Sequence, residues 1–294
     1  MRFITAIFFV LVALKLPNLQ AAPAISLSET NLFGDLDCFR IQTPHATYLY
    51  GKRGAGFASI IDSQGNDWIA YRHGGLARGE YHGLPKCGQP TKFFHCGYGF
   101  GQYTNTNWFT STVTLREPNH VRIHSETRNA DSGCDWDFFA ERATLTLLRI
   151  GAPAYWFLYE GVPGGKLDPE EDFVVRPGNR KTFLNEPWSD NVPWVYFGAG
   201  ESRSAFFLIQ HQKHGKNDSY VYWPYKREAD GGYQQMTVFG FGRPDWQNPK
   251  QHTPPLTKLP ARFSIGFAEG TDYDSVSKLI EGIQERVENS QPSK

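Results

Sequence analysis

The strongest constraint on the fold is a train of short β-type runs, each closed by a compact turn signal. "GFASII", "DSQGN" and "DWIAYR" read as a hairpin around Ser63–Asn66. "STVTLRE", "PN" and "HVRIHSET" read as a second, and "RATLTLLRI", "GAP" and "AYWFLYEG" as a third with long strands. "WVYFG" precedes "SRSAFFLIQHQ", and "YQQMTVFGFGR" and "RFSIGFAEG" close the series. β-Branched and aromatic residues fill these runs, while Gly, Pro, Asn and Asp punctuate them. No strand–helix alternation and no exact repeat occurs, which argues against parallel α/β folds and propellers. One helix stands out in "TDYDSVSKLIEGIQERVEN", where Val276, Leu279, Ile280, Ile283 and Val287 recur at helical spacing and Asp272 or Asp274 can cap the start. It is expected to pack at the sandwich edge. The sum is an all-β chain: one antiparallel β-sandwich domain over residues 23–294, with two large sheets face to face and one C-terminal helix. The proline-rich stretches "EPWSDNVP" and "GRPDWQNPKQHTPPLTKLP" are expected to be loops at a sheet rim.

The first residues have a different character. Arg2 precedes an apolar run, Ile4–Leu14, too short to span a bilayer, and Ala21, Ala22 and Ala24 offer a cleavage zone. Residues 1–22 therefore read as a signal peptide, and the mature chain as secreted or periplasmic and free of the membrane. Export implies an oxidising compartment, so Cys38, Cys87, Cys96 and Cys134 are expected to pair, in one of three connectivities. The formal net charge of +0 gives no reason to expect nucleic acid or an anionic membrane as a partner.

Alternation sorts candidate side chains by face. His120, Arg122 and His124 share one face of their strand, which reads as a solvated outer surface. Tyr155, Phe157 and Tyr159 share one face of theirs, with Trp156, Leu158 and Glu160 on the other. Glu160 ends a strongly apolar strand, where a carboxylate is either exposed at the end or buried with a partner and available as acid or base. His211 continues the face of Phe207 and Ile209. The run "EYHGLPKCGQPTKFFHCGYGFGQY" is rich in glycine and carries six aromatic rings, two histidines and two cysteines. Zinc fits it poorly: eight residues separate Cys87 from Cys96, and no second knuckle follows. No G-x-S-x-G elbow and no phosphate loop is present, and no Asp/Glu pair suggests a glycosidase. No metal or cofactor is expected.

Sugar chemistry fits the remaining residues. Saccharide sites combine aromatic faces with polar groups that fix hydroxyls, and a uronic acid also needs a cation for its carboxylate. Arg72, Tyr81, His82, His95, Tyr98, Tyr222, Trp223 and Arg243 supply those types. Such residues suit β-elimination without metal. A cation neutralises the carboxylate and acidifies the adjacent C–H, a His or Tyr takes that proton, and another group protonates the leaving oxygen.

The stretches "GFASIIDSQGNDWIAYR", "GEYHGLP", "FHCGYG", "YWFLYEGVPGG" and "MTVFGFGR" resemble a group of secreted bacterial proteins associated with polysaccharide-degrading gene clusters. The group is similar to the galactose-mutarotase-like β-sandwiches (supersandwiches) that include several polysaccharide lyases, and to oligosaccharide dehydratases of ulvan breakdown. The resemblance implies that fold and a site around His95, with Tyr81 and Arg72 beside it. The chain departs from the group's Y-R-G-[LI]-P-N motif at His82 and Lys86, and has Cys96 where proline usually follows the motif histidine. The resulting expectation is a lyase or dehydratase acting on a uronate-containing poly- or oligosaccharide. His95 is base or acid, Tyr98 its partner and Arg72 the carboxylate clamp; His211 joins the catalytic set, while Tyr81, His82, Glu160 and Arg243 bind substrate. The rivals are a non-catalytic sugar-binding sandwich and an aldose epimerase-like enzyme.

Overall fold

A computed structural model of the chain describes residues 25–32, 36–71, 82–87, 109–200, 202–224, 235–244 and 256–289. The leader expected over residues 1–22 lies outside them. In chain order the strands are β1 (Ser26–Leu32), β2 (Leu36–Gln42), β3 (Ala46–Gly51), β4 (Gly56–Asp62), β5 (Gly83–Lys86), β6 (Phe109–Glu117), β7 (His120–Thr127), β8 (Gly133–Phe138) and β9 (Ala143–Arg149). They continue as β10 (Phe157–Gly161), β11 (Phe173–Arg176), β12 (Arg180–Phe183), β13 (Trp188–Asp190), β14 (Trp194–Gly198), β15 (Ser204–Gln210), β16 (Asp218–Trp223), β17 (Met236–Phe241) and β18 (Ala261–Glu269), followed by helix α1 (Tyr273–Asn289). Sheet I runs β1-β2-β3-β4-β5-β10-β17-β16-β13, and sheet II runs β12-β11-β14-β15-β18-β9-β8-β7-β6. This is the antiparallel two-sheet architecture with one C-terminal helix that the sequence predicts.

The core lies between the sheets. Tyr48, Phe57, Phe157 and Phe239 from sheet I meet Trp136, Phe138, Phe206 and Phe263 from sheet II. Phe57 is a junction: its ring centroid lies 4.7 Å from Trp136 and 5.5 Å from both Tyr48 and Tyr50. Phe157 stacks on Phe263 at 4.4 Å and 8°. Such pairs add contact geometry to the burial of large apolar area, so the aromatic excess serves the core first. Polar groups trapped here find partners. Tyr50 Oη and Ser125 Oγ lie 2.7 Å apart, and Ser125 Oγ lies 2.7 Å from Ser111 Oγ.

Four expectations change. The turn at Ser63–Asn66 forms, with the Asp62 amide donating to Asn66 O at 3.0 Å. "DWIAYR", however, makes a single bridge among the described residues, Asp67 to Ile61. The Asp67 carboxylate accepts the backbone amides of Ile60 (3.3 Å) and Ile69 (3.0 Å), so a side chain satisfies donors that a ladder would otherwise occupy. The segment around "GAP" is not a hairpin: β9 pairs with β8 and β18 in sheet II, while β10 pairs with β5 and β17 in sheet I. "EPWSDNVP" contributes β13, which pairs with β16. The helix packs on the outer face of sheet II, not its edge: Val276, Ile280, Ile283 and Val287 join Phe207, Ile209, Trp194 and Tyr196 in a second apolar cluster.

The disulfides expected of an exported chain are not formed by the described cysteines. Cys38, Cys87 and Cys134 are buried free thiols, and Cys96 lies outside the described residues. Among the described residues no helix is long and apolar enough to cross a membrane.

Candidate functional site

The site is built on three neighbouring strands of sheet I, β5, β10 and β17, with β16 beside them. In β10, Phe157 and Tyr159 enter the core, which turns Leu158 and Glu160 to the outer face. In β17, Phe239 and Phe241 enter the core, so Val238 and Gly240 share the outer face. Register places Glu160 opposite Val238 and Leu158 opposite Gly240. In β16, Tyr220 points inward and leaves Ser219, Val221 and Trp223 outward, opposite Gly240, Val238 and Met236. The face splits the aromatic pair expected there: Trp223 belongs to it and Tyr222 does not.

Arg243 reaches this face through two glycines. Gly242 sits at φ +70°, a left-handed conformation that glycine adopts without strain, and its amide donates to Asp218 Oδ1 at 2.7 Å. The turn is closed by the Arg243 amide, which donates to Gly240 O at 3.2 Å. A Cβ at Gly240 would collide with Leu158 Cδ2 and Arg243 Cβ, so the absent side chain makes room for the arginine to cross. Arg243 Nη1 then donates to Ser219 Oγ at 2.7 Å, and Ser219 Oγ donates to Pro244 O at 3.1 Å. A guanidinium with a fixed bond at one nitrogen has lost much of its freedom before it meets an anion.

The outer face of an antiparallel sheet is commonly solvated. Here it is dry: Glu160 is 6% exposed, Arg243 5%, Leu158 4% and Val238 2%. His82, 2% exposed, precedes Gly83, the residue that pairs with Glu160. Its Nδ1 lies 3.0 Å from Ala70 O. A carbonyl only accepts, so Nδ1 carries a proton and donates. A carboxylate and a guanidinium thus belong to one buried outer face, and a buried imidazole immediately precedes the strand beside it. Side chains of these types can hold a carboxylate, fix hydroxyls and move a proton.

His211 is elsewhere. Its neighbours Phe207 and Ile209 lie under α1, and its amide donates to Arg262 O at 3.1 Å, which places it on the outer face of sheet II. The core separates it from Glu160 and Arg243. His211 Nε2 lies 2.8 Å from Ser264 Oγ, which lies 2.9 Å from Thr144 Oγ1. Burial, with Arg142 and Arg262 nearby, pushes its pKa down to about 4. His120, Arg122 and His124 also lie on that face. Asp137 accepts from Arg122 Nε (2.7 Å) and bonds His120 Nε2 (2.5 Å), and Asp135 bonds His124 Nδ1 (2.7 Å). The sequence reads this face as solvated; it is partly exposed, and its side chains are bonded to Asp135 and Asp137. His95, Tyr98, Arg72 and Tyr81 lie outside the described residues.

Ser219 is the site residue that sequence reasoning missed. Its signal was present in the alternation of "DSYVYW", which puts Ser219 on the face of Trp223. Among the described residues no group of three or more His, Cys, Asp or Glu side chains is placed to hold a metal.

No protein-family model matches the chain, and no curated protein matches it in sequence. Solved structures do share the fold. The crystal structure of HI1317 aligns with a TM-score of 0.53 and 11% identity, over 83% of this chain and 100% of that one. A putative mutarotase (YeaD) from Salmonella typhimurium aligns at 0.49 and 11% identity, over 85% of this chain and 97% of that one. A galactose mutarotase-like protein (CA_C0697) from Clostridium acetobutylicum aligns at 0.46 and 8% identity, over 84% and 99%. At these identities what is shared is the sandwich, and a shared sandwich does not specify a reaction.

Proposed function

We propose that the chain is a carbohydrate-active enzyme that binds a uronate-containing saccharide on the outer face of sheet I and cleaves it by β-elimination. The observation that carries this reading is that a buried carboxylate, Glu160, and a buried and braced guanidinium, Arg243, belong to the outer face of the same sheet. Arg243 neutralises the sugar carboxylate and acidifies the C–H beside it. Proton removal at that carbon forms the double bond as the neighbouring C–O bond breaks, and the departing oxygen takes up a proton. Glu160 serves the proton transfers, and the pair assigned from sequence, His95 and Tyr98, with Arg72 and Tyr81, belongs to the same proposal. The test is to incubate the protein with a panel of uronate-containing glycans and follow near-ultraviolet absorbance of the unsaturated product, with mass spectrometry for loss of water. Turnover that falls by roughly 10²-fold or more in Glu160→Gln, with folding intact, is expected. No absorbance and no mass change across the panel overturns it.

A second reading is favoured by one observation, the placement of His82 next to the residue that pairs with Glu160. A histidine and a glutamate flanking one sugar ring suit an aldose epimerase-like reaction, with a proton moved at the anomeric hydroxyl and another at the ring oxygen. Proton NMR of anomer exchange in neutral aldoses separates the two, because only this reading predicts acceleration without a uronate.

A further inference from the structure

At the rim of the sandwich, where β15 ends and β18 begins, lies a cavity of about 90 Å³. Its walls include the rings of Tyr155 and Phe263, the amide of Gln210, the imidazole of His214 and the stems of Lys213 and Lys258. It is distinct from the outer-face site: Tyr155 and Phe263 belong to the inward faces of their strands.

The polar groups of the wall are of two kinds. Some are closed. Asp218 is fully buried, and four donors converge on its carboxylate: His214 Nε2 (2.9 Å), Gly242 N (2.7 Å), Val192 N (3.1 Å) and Gln210 Nε2 (3.4 Å). His214 spends its other nitrogen on the amide of Lys216, at 3.2 Å. Neither group is available to a ligand. The rest are open. Gln210 is 5% exposed, and its amide nitrogen donates to Val192 O at 2.6 Å as well as to Asp218. Two acceptors on that side fix the amide orientation, so Oε1 is the atom left over, and among the described residues no donor reaches it. The lysines are exposed, and neither has an acidic partner among the described residues.

We infer that this cavity binds the carboxylate end of a sugar acid. The ammonium groups of Lys213 and Lys258 meet the carboxylate at the mouth, and a ligand hydroxyl donates to Gln210 Oε1. The volume admits one end of a molecule and excludes a whole disaccharide. The inference shares a ligand class with the proposed function but none of its residues.

The experiment titrates glucuronate, glucose and inorganic sulfate, each separately, into the ¹⁵N-labelled mature chain. The readout is the side-chain NH₂ resonance of Gln210, alongside the backbone amides of Lys213 and Lys258. Glucuronate is expected to shift these signals saturably, glucose and sulfate at least tenfold more weakly. The double variant Lys213→Gln/Lys258→Gln changes two exposed side chains, so the fold survives, and it is expected to weaken glucuronate at least tenfold. Equal responses to glucose, equal responses to sulfate, or an unchanged affinity in the double variant each overturn the inference. Glycan turnover by that variant is a separate measurement: its loss or survival bears on the outer-face site, and the Gln210 signal bears on this one.

Discussion

His211 keeps a neutral imidazole far below the pH at which an exposed histidine charges. Burial disfavours the imidazolium, Arg142 and Arg262 add like-charge repulsion, and the pKa falls to about 4. The unfolded chain takes up a proton near the ordinary value while the folded chain does not. Stability is therefore intact above about pH 6.5 and is lost progressively as pH falls from there towards 4, by at most about 3 kcal/mol from this residue. Asp172 works in the opposite direction. Burial, with Asp168 and Glu171 nearby, raises its pKa to about 6 although the amides of Asp168 and Gly200 donate to it. Its folded form holds a proton that the unfolded chain releases, so its contribution is fully present at low pH and declines as pH rises from about 4 through 6. His211→Gln, which can still bond Ser264, is expected to flatten the acid-side loss of stability. Urea midpoints at about pH 7 and about pH 4.5 check this: the parent drops more than the variant, and equal drops would remove His211 as the cause. The thiols provide a second test at this scale. Burial raises the Cys38 pKa to about 12 and also raises those of Cys87 and Cys134. All three are expected to resist a maleimide in the native state and to label fully in denaturant, mapped by mass spectrometry.

Helix α1 is the element whose sequence and structure agree most closely. Asp272 is the cap: its Oδ2 accepts the Ser275 amide at 3.0 Å and the Ser275 hydroxyl at 2.9 Å. The apolar stripe then covers Phe207 and Ile209 of β15. Ile280 is fully buried in that contact, so Ile280→Ala is expected to cost about 2–5 kcal/mol, read from the denaturation midpoint. A loss under half a kcal/mol would mean that the helix is an ornament on a self-sufficient sheet. The stripe was legible because helical period reports burial directly. Hairpin β6–β7 was legible for the same kind of reason, a reversal flanked by alternating runs. β9 and β10 show where this logic stops. A turn signal marks a change of direction but does not say whether the next strand pairs with the last or crosses to the other sheet. "DWIAYR" shows a second limit, since the Asp67 carboxylate takes up donors that pattern alone assigns to a strand.

The whole molecule has two outer faces of unlike character, and the sequence could not distinguish them. Period-2 alternation correctly groups Glu160 with Leu158, and His211 with Ile209, but it carries no label for which sheet a face belongs to. Arg243 reaches the face that carries Glu160 because Gly240 and Gly242 let the chain after β17 fold across it, a consequence of tertiary register that no local pattern holds. The outer face of sheet II is helix-covered or ion-paired, with Asp137 held by His120 and Arg122 and Asp135 by His124. Pairs of this kind at a partly solvated surface contribute little stability. The outer face of sheet I instead carries Trp223 at the end of β16, on the same side as Ser219 and its bonded Arg243. An aromatic ring on the same face as a braced cation suits stacking of one ring of an extended saccharide. If the saccharide binds there, Trp223→Ala is expected to weaken binding of a uronate-containing polysaccharide by about 2–13-fold, the range set by about 0.5–1.5 kcal/mol of ring contact. His124→Ala, on the opposite face, is expected to leave binding unchanged. Affinity gel electrophoresis of the two variants and the parent in one gel series decides it. Equal retardation of all three would move the saccharide off sheet I, and a loss confined to His124→Ala would move it to sheet II.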